Sequence, residues 1–399
     1  MSKLSLIGLF ICVLLLFSCS KESRNIHPER PSIPTIMGKN IDYSLNKNVH
    51  NDFYDFVDSI EIILLETKEQ SIIGTVSDIH IIADKVLVTD MFKAKTIIVF
   101  DKDGKYLYSI GKTGKGKGEY QQMNSVNITE DYVDVCDLVG RKVCRYGNEG
   151  EFFKELVFPT DVYVSDFIEV NENSYILVYQ TYEKSHPFRI EFTDSLFKVK
   201  NTAFPFTNTR EFPVATISPM EQGHYSVYYD LCDTIYDMSE SGITPLYTLG
   251  LYKNNEVNDY IDETATLNKK QFLKEWNSDK KDIIKNFYFY QMPNHLFAMY
   301  RFGSEIYYSI IDKSNNTVHT TFGQNTQQDE CDIPFYFCNT YKDYILTAVT
   351  NVDLSRLSKD AEKTILSKMS TLDAKKWQRI KNNSDDNPSI FLFHLKNSK

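Results

Sequence analysis

Residues 79 to 110 read IHIIADKVLVTDMFKAKTIIVFDKDGKYLYSI and residues 126 to 156 read VNITEDYVDVCDLVGRKVCRYGNEGEFFKEL, one pattern written twice with an offset of 47 positions. A repeat of that length restricts the chain to folds that set one supersecondary unit against the next. Each copy contains three strands; in the first, Lys85 to Thr89 and Thr96 to Phe100 are β runs, and Asp101-Lys102-Asp103-Gly104 is a hairpin turn whose glycine takes positive φ. Asn148-Glu149-Gly150 repeats that turn. Asp90 and Asp137 follow the first strand in both copies, where a short carboxylate bonds nearby backbone amides. Fainter copies occupy 167 to 200, 225 to 252 and 287 to 322, and a last run starts near Phe335. Six units over about 300 residues give roughly 50 per unit, the size of a four-stranded blade with its loops. The expected fold is all-β, a six-bladed β-propeller over residues 51 to 399, its ring closed by a strand near Ser59 to Leu65 against Ile390 to Leu395.

Composition agrees with a large folded core. The 399 residues are 42% hydrophobic and 25% charged, which argues against disorder, and 26 Tyr with 26 Phe favour pleated, half-buried surfaces. A net charge of -10 and a pI near 5.4 argue against broad nucleic-acid binding, which needs concentrated Lys and Arg.

Lys3 precedes an apolar run from Leu4 to Phe17, too short to span a bilayer and suited to a signal peptide. The run ends Leu16-Phe17-Ser18-Cys19, which resembles the lipobox of bacterial lipoproteins, against the alternative of an ordinary cleaved signal with a chance cysteine. The resemblance implies loss of residues 1 to 18 and lipidation of Cys19, with two or three acyl chains as a palmitate-type membrane anchor. Residues 19 to 50, with Pro28, Pro31 and Pro34, read as a flexible tether. The expected address is the cell envelope, as an outer-membrane lipoprotein facing the periplasm or the exterior.

Two polar segments interrupt the β pattern, about 268 to 285 and 354 to 381. Apolar residues recur three or four apart in them, as at Phe272, Leu273 and Trp276 or Ile365, Met369 and Leu372, so they read as helical insertions on one rim: a packed cap, or else a lid or docking surface. Five cysteines follow Cys19. Cys136 and Cys144 are symmetric about Gly140, so a hairpin over 133 to 146 would allow a disulfide, while buried free thiols are the commoner state. Neither this pair nor Cys331 and Cys338 has zinc-ribbon spacing.

Four separated motifs extend the reading: LETKEQSIIGTVSDI at 65 to 79, IIVFDKDGKYLYSIGKTGKGKGEY at 97 to 120, DTIY at 233 to 236 and DDNPSIFLFHLK at 385 to 396. Together they resemble the bacterial six-bladed β-propeller lipoproteins, whose first blades are similar to NHL repeats. Lys117 stands where that family often has proline in Gly-Pro-Gly-Glu-Tyr. The family has no general chemistry, so the resemblance implies architecture and address only.

Catalytic motifs are missing from the linear sequence. The run Gly111 to Gly118 is not a phosphate loop, because the first glycine of that motif would fall on Tyr106 and no apolar helix follows. It reads as an inter-blade turn, with Lys112, Lys115 and Lys117 as a weak anion-attracting patch. The eight histidines include no helical zinc-protease pair, and there is no nucleophile elbow. The first expectation is therefore a non-catalytic, membrane-anchored binding or scaffold propeller for a peptide, protein or glycan, with no cofactor and no nucleic-acid partner. The alternative is a lactonase- or lyase-like propeller enzyme with calcium or zinc on the axis.

Overall fold

A computed structural model describes residues 41–42 and 52–396, apart from 160–162, 180–184, 207–214, 221–222, 230, 253–255, 265, 268, 279–282, 326–329, 334 and 385. The signal segment, Cys19 and most of the tether lie outside the described residues.

The strands form six antiparallel sheets. The two earliest, β1 (Ile41–Asp42) and β2 (Val57–Ile63), belong to late blades. Blade I holds β3 (Asp78–Ile82), β4 (Lys85–Asp90), β5 (Thr96–Asp101) and β6 (Tyr106–Ile110). Blade II holds β7 (Met123–Ile128), β8 (Tyr132–Asp137), β9 (Lys142–Gly147) and β10 (Phe152–Val157). Blade III holds β11 (Asp166–Asn171), β12 (Ser174–Val178), β13 (Phe188–Asp194) and β14 (Val199–Pro205). Blade IV holds β15 (Ala215–Pro219), β16 (Tyr225–Tyr229), β17 (Thr234–Ser239) and β18 (Gly242–Thr248). Blade V holds β19 (Ile284–Gln291), β20 (His295–Phe302), β21 (Glu305–Asp312) and β22 (Thr317–Asn325). Blade VI holds β23 (Phe337–Tyr341), β24 (Tyr344–Val349), β25 (Ser389–Leu395) and, from the other end of the sequence, β2.

Six apolar cores lie between the blades and close the ring. Leu87 and Val99 meet Val133 and Tyr146 between I and II; Cys136 and Val143 meet Phe167 and Leu177 between II and III; Ile176 and Ile190 meet Val227 and Met238 between III and IV. Tyr228 and Tyr247 meet Phe287 and Phe289, Phe297 and Tyr308 meet Phe337 and Phe393, and Leu346 and Leu392 meet Ile79 and Val86 to complete the circle. The middle strands of each blade are buried on both faces, so KVLVTD and TIIVFD are nearly continuous apolar runs, whereas first and last strands are half-exposed. The expected closure is present: Ile60 of β2 pairs with Phe393 and Ile62 with Phe391.

Each of the first two repeats contains four strands, not three. The extra boundary in blade I is the two-residue turn Ala83-Asp84, where Ala83 adopts φ 53° without a glycine, proline or asparagine to signal it. The turn at Gly104 is as expected, with φ 85°, and a Cβ there would come within 2.0 Å of the Leu64 carbonyl oxygen.

Asp90 and Asp137 are fully buried and do more than shape their own turns. Asp90 accepts from Gly74 and Thr75 N–H in the connector entering blade I, and from Phe92 and Lys93 N–H in its turn. Asp137 accepts likewise from Gln121, Gln122 and Gly140 N–H. Each carboxylate fastens the second-to-third-strand turn of a blade to the connector from the previous blade.

In an alternating blade these turns and connectors lie at one end of the strands, and both helical insertions leave from that end. The first is α1 (Glu256–Thr264) and α2 (Lys269–Trp276), on the connector from blade IV to blade V; it begins a helix earlier than the polar run at 268 suggests. The second, between β24 and β25, is α3 (Asn351–Ser355), α4 (Lys359–Ser367) and α5 (Thr371–Asn382). This second insertion covers the open edge of β2: Ile60 N–H donates to Lys368 O, Ile62 N–H to Asp373 Oδ1, and Lys376 Nζ to Ile62 O. It is the packed cap of the two readings, and it satisfies the edge that ring closure would otherwise leave bare. Blade IV's edge is met differently, by β1 running parallel to Tyr247 and Thr248.

Cys136 and Cys144 do not face each other. Cys136 pairs with Val143 and Cys144 with Val135, so the hairpin is centred half a residue before Gly140 and the two thiols point to opposite faces. Cys136 enters the core between blades II and III, Cys144 the core between I and II, and the five described cysteines are free thiols.

Candidate functional site

The innermost strands are the first of each blade, since β3, β7, β11 and β23 approach their counterparts next door. Their polar side chains bridge blades. Asn339 Nδ2 donates to Asp78 Oδ1 (2.9 Å), His80 Nε2 lies 2.9 Å from Asp78 Oδ2, and Asn127 Nδ2 donates to Asp166 Oδ1 (3.0 Å). Tyr290 O–H donates to the Cys338 carbonyl. Burial disfavours the His80 imidazolium, but the Asp78 carboxylate outweighs it and the pKa is raised. Burial also raises the Asp166 pKa, against hydrogen bonds from Ser125, Asn127 and the Phe167 N–H. Among the described residues, no three His, Cys, Asp or Glu side chains converge closely enough to hold a metal ion.

The lysines of the 111 to 118 run sit in the connector between β6 and β7. Lys112 Nζ is 3.0 Å from Glu119 Oε1, Lys117 lies over the Phe152 ring at 5.8 Å, and Lys115 is exposed. Glu119 accepts the Gly116 N–H, and Glu155, held by Lys142, accepts the Gly118 N–H. The Gly116 amide and then Lys112 hold the Glu119 carboxyl below its usual range. The chain's own carboxylates thus meet the amides and the cation that a bound anion would use.

A cavity of about 310 Å³ opens between blades II and III. Phe158, Pro159 and Val164 of the inter-blade connector form one wall, with Leu177, Phe197 and Val199 of blade III opposite. Its polar groups are gathered on one side. Glu191, fully buried on β13, accepts from Tyr179 O–H at 2.9 Å, and His186 Nδ1 lies 2.9 Å from the same Oε2. The Tyr179 and His186 rings are 5.0 Å apart at 33°. Behind them Arg189 is held between Phe206 and Tyr229, 4.5 and 4.6 Å from the ring centres. A buried carboxylate is tolerated when donors converge on it, and here they fix the imidazole's orientation. None of these residues stands in a sequence motif: His186 precedes β13, Glu191 lies on it, and Tyr179 follows β12, so only the fold assembles them.

A second cavity, about 170 Å³, lies beside α5. Its buried Asn387 is committed to structure, accepting from Ile73 N–H and donating to Glu66 O and Ser71 O.

A family described as a domain of unknown function (DUF4934) matches residues 39–394. The chain belongs to this family. The match starts two residues before β1, so that strand falls within the family's domain. No curated protein sequence matches the chain. The fold is similar to that of a candidate exported protein from Bacteroides fragilis, with 19% identity over 91% of this chain and 99% of that one and a TM-score of 0.69. It is also similar to a DUF4221 family member from Bacteroides vulgatus, with 10% identity, coverage of 86% and 99%, and a TM-score of 0.53. Virginiamycin B lyase from Staphylococcus aureus is more distant, with 14% identity, coverage of 72% and 80%, and a TM-score of 0.40. Among the described residues no helix is long and apolar enough to cross a membrane.

Proposed function

We propose that this propeller is exported, held at the cell envelope by lipid on Cys19, and acts as a non-catalytic binding protein that takes its ligand in the cleft between blades II and III. The observation that carries this reading is the contrast of that cleft with the channel. Asn339 with Asp78 and Asn127 with Asp166 are engaged in blade-to-blade hydrogen bonds, whereas the cleft combines apolar walls with a fixed polar side, the usual composition of a site for an organic ligand or a peptide side chain. Its shape suits an anchoring side chain better than an extended glycan.

The binding half is tested with the chain from Ser20 onward and a peptide and fragment panel read by ligand-observed NMR. Hits should vanish in Val164→Trp, which fills the cleft. Hits that persist in that variant, or turnover of a lactone or peptide by the purified protein, would overturn the reading. The anchor is tested separately: Cys19→Ala should move the full chain from the membrane to the soluble fraction, and retention on membranes after a high-salt wash would contradict lipidation there.

A further inference from the structure

His186 gives the cleft a chemical preference. A carboxylate only accepts hydrogen bonds, so the neutral ring carries its proton on Nδ1, facing Glu191. Nε2 is then an acceptor, and among the described residues it has no hydrogen-bond partner. Tyr179 O–H cannot serve it, being donated to Glu191. The cleft therefore offers an acceptor fixed from behind, beside Ser185 and against walls that are mostly apolar and aromatic.

Such a site selects an apolar body with a single donor. An aliphatic alcohol would meet the acceptor but leave flat surfaces poorly filled: the Tyr179 and His186 rings form a shallow-angled pair, and Phe158 faces Phe197 edge-on at 5.3 Å. A cavity of about 150 Å³ already accepts benzene, so about 310 Å³ holds a substituted ring with room for whatever carries it.

We propose that the cleft between blades II and III binds an aromatic hydroxyl group, its O–H donated to Nε2 of His186 and its ring packed between the Phe158 and Leu177 walls. This rests on the binding reading above and adds the ligand class. The hydroxyl can come from a tyrosine side chain of a peptide or from a free phenol, and the two sources are separable.

The test measures p-cresol, toluene and N-acetyl-tyrosinamide binding by NMR titration of the chain from Ser20 onward. p-Cresol should bind about tenfold tighter than toluene, the gain of one well-placed hydrogen bond. In His186→Phe the two should bind alike, and in Val164→Trp, which leaves the His186–Glu191 pair intact, neither should bind. Equal affinity of p-cresol and toluene for the wild type would overturn the hydroxyl assignment while leaving the cleft as a binding site. No binding of either at about 10 mM would overturn both. N-acetyl-tyrosinamide binding at least as tightly as p-cresol assigns the hydroxyl to a peptide; its exclusion assigns it to a free phenol.

Discussion

The interface between blades II and III is built in two ways. One part is stitched by charge: Arg145 of β9 donates to both carboxylate oxygens of Asp134 (2.7 and 2.6 Å), reaches Glu169 on β11, and lies 3.7 Å over the Tyr132 ring. Asn127 joins Asp166 nearby. Elsewhere the same two blades part around a cavity whose polar groups end on an imidazole nitrogen with no partner among the described residues. The Arg145 cluster acts as a fastener, while the cavity keeps Nε2 of His186 in reserve. Burial alone does not separate them, since Arg145, Asp134, Glu191 and His186 are all buried.

The Arg145 cluster should fail hardest. Arg145→Leu leaves Asp134 and Glu169 facing each other without a cation, and should cost about 4 kcal/mol in the urea-unfolding free energy. A loss under about 1 kcal/mol would mean that the triad is solvent-screened and no fastener.

Glu191→Leu should cost about 2 kcal/mol, because Tyr179 O–H and His186 N–H lose a shared buried acceptor. It should also weaken p-cresol binding, since the imidazole loses its orientation; unchanged affinity would separate Glu191 from the site.

The smallest effect belongs to Asp166 and is read through pH. Its folded pKa is raised above the unfolded value, so the stability it contributes is full below about pH 4 and lost as pH rises through the folded pKa. Asp166→Asn, which keeps an acceptor for Asn127, should therefore gain on the wild type as pH goes from 3.5 to 7. A variant that loses ground over that range would show that the carboxylate is needed in its charged form.

Much of the fold was legible because blade interiors follow a short-range rule: strands buried on both faces are written as apolar runs, and hairpin turns such as Gly104 carry their own signal. Closure by residues 57–63 against 389–395 was legible for the same reason, as a β run with no local partner. Ala83 escaped because an alanine at positive φ leaves no compositional mark. Cys136 and Cys144 are the buried free thiols that the sequence favoured, and what keeps them apart is half a residue of hairpin centring, which the pleat converts into opposite faces. The Tyr179, His186 and Glu191 constellation had no motif to find: a loop histidine five residues before a strand glutamate is common, and its meaning comes from the apolar walls that the connector and blade III supply.

The proposed ligand enters the blade II–III cleft and stops at His186. A crystal structure of the chain from Ser20 onward grown with p-cresol tests it most directly. The expected result is an aromatic ring in the cleft with its oxygen within hydrogen-bond distance of His186 Nε2. A cleft left empty while p-cresol occupies the axial channel or the cavity beside α5 would contradict it.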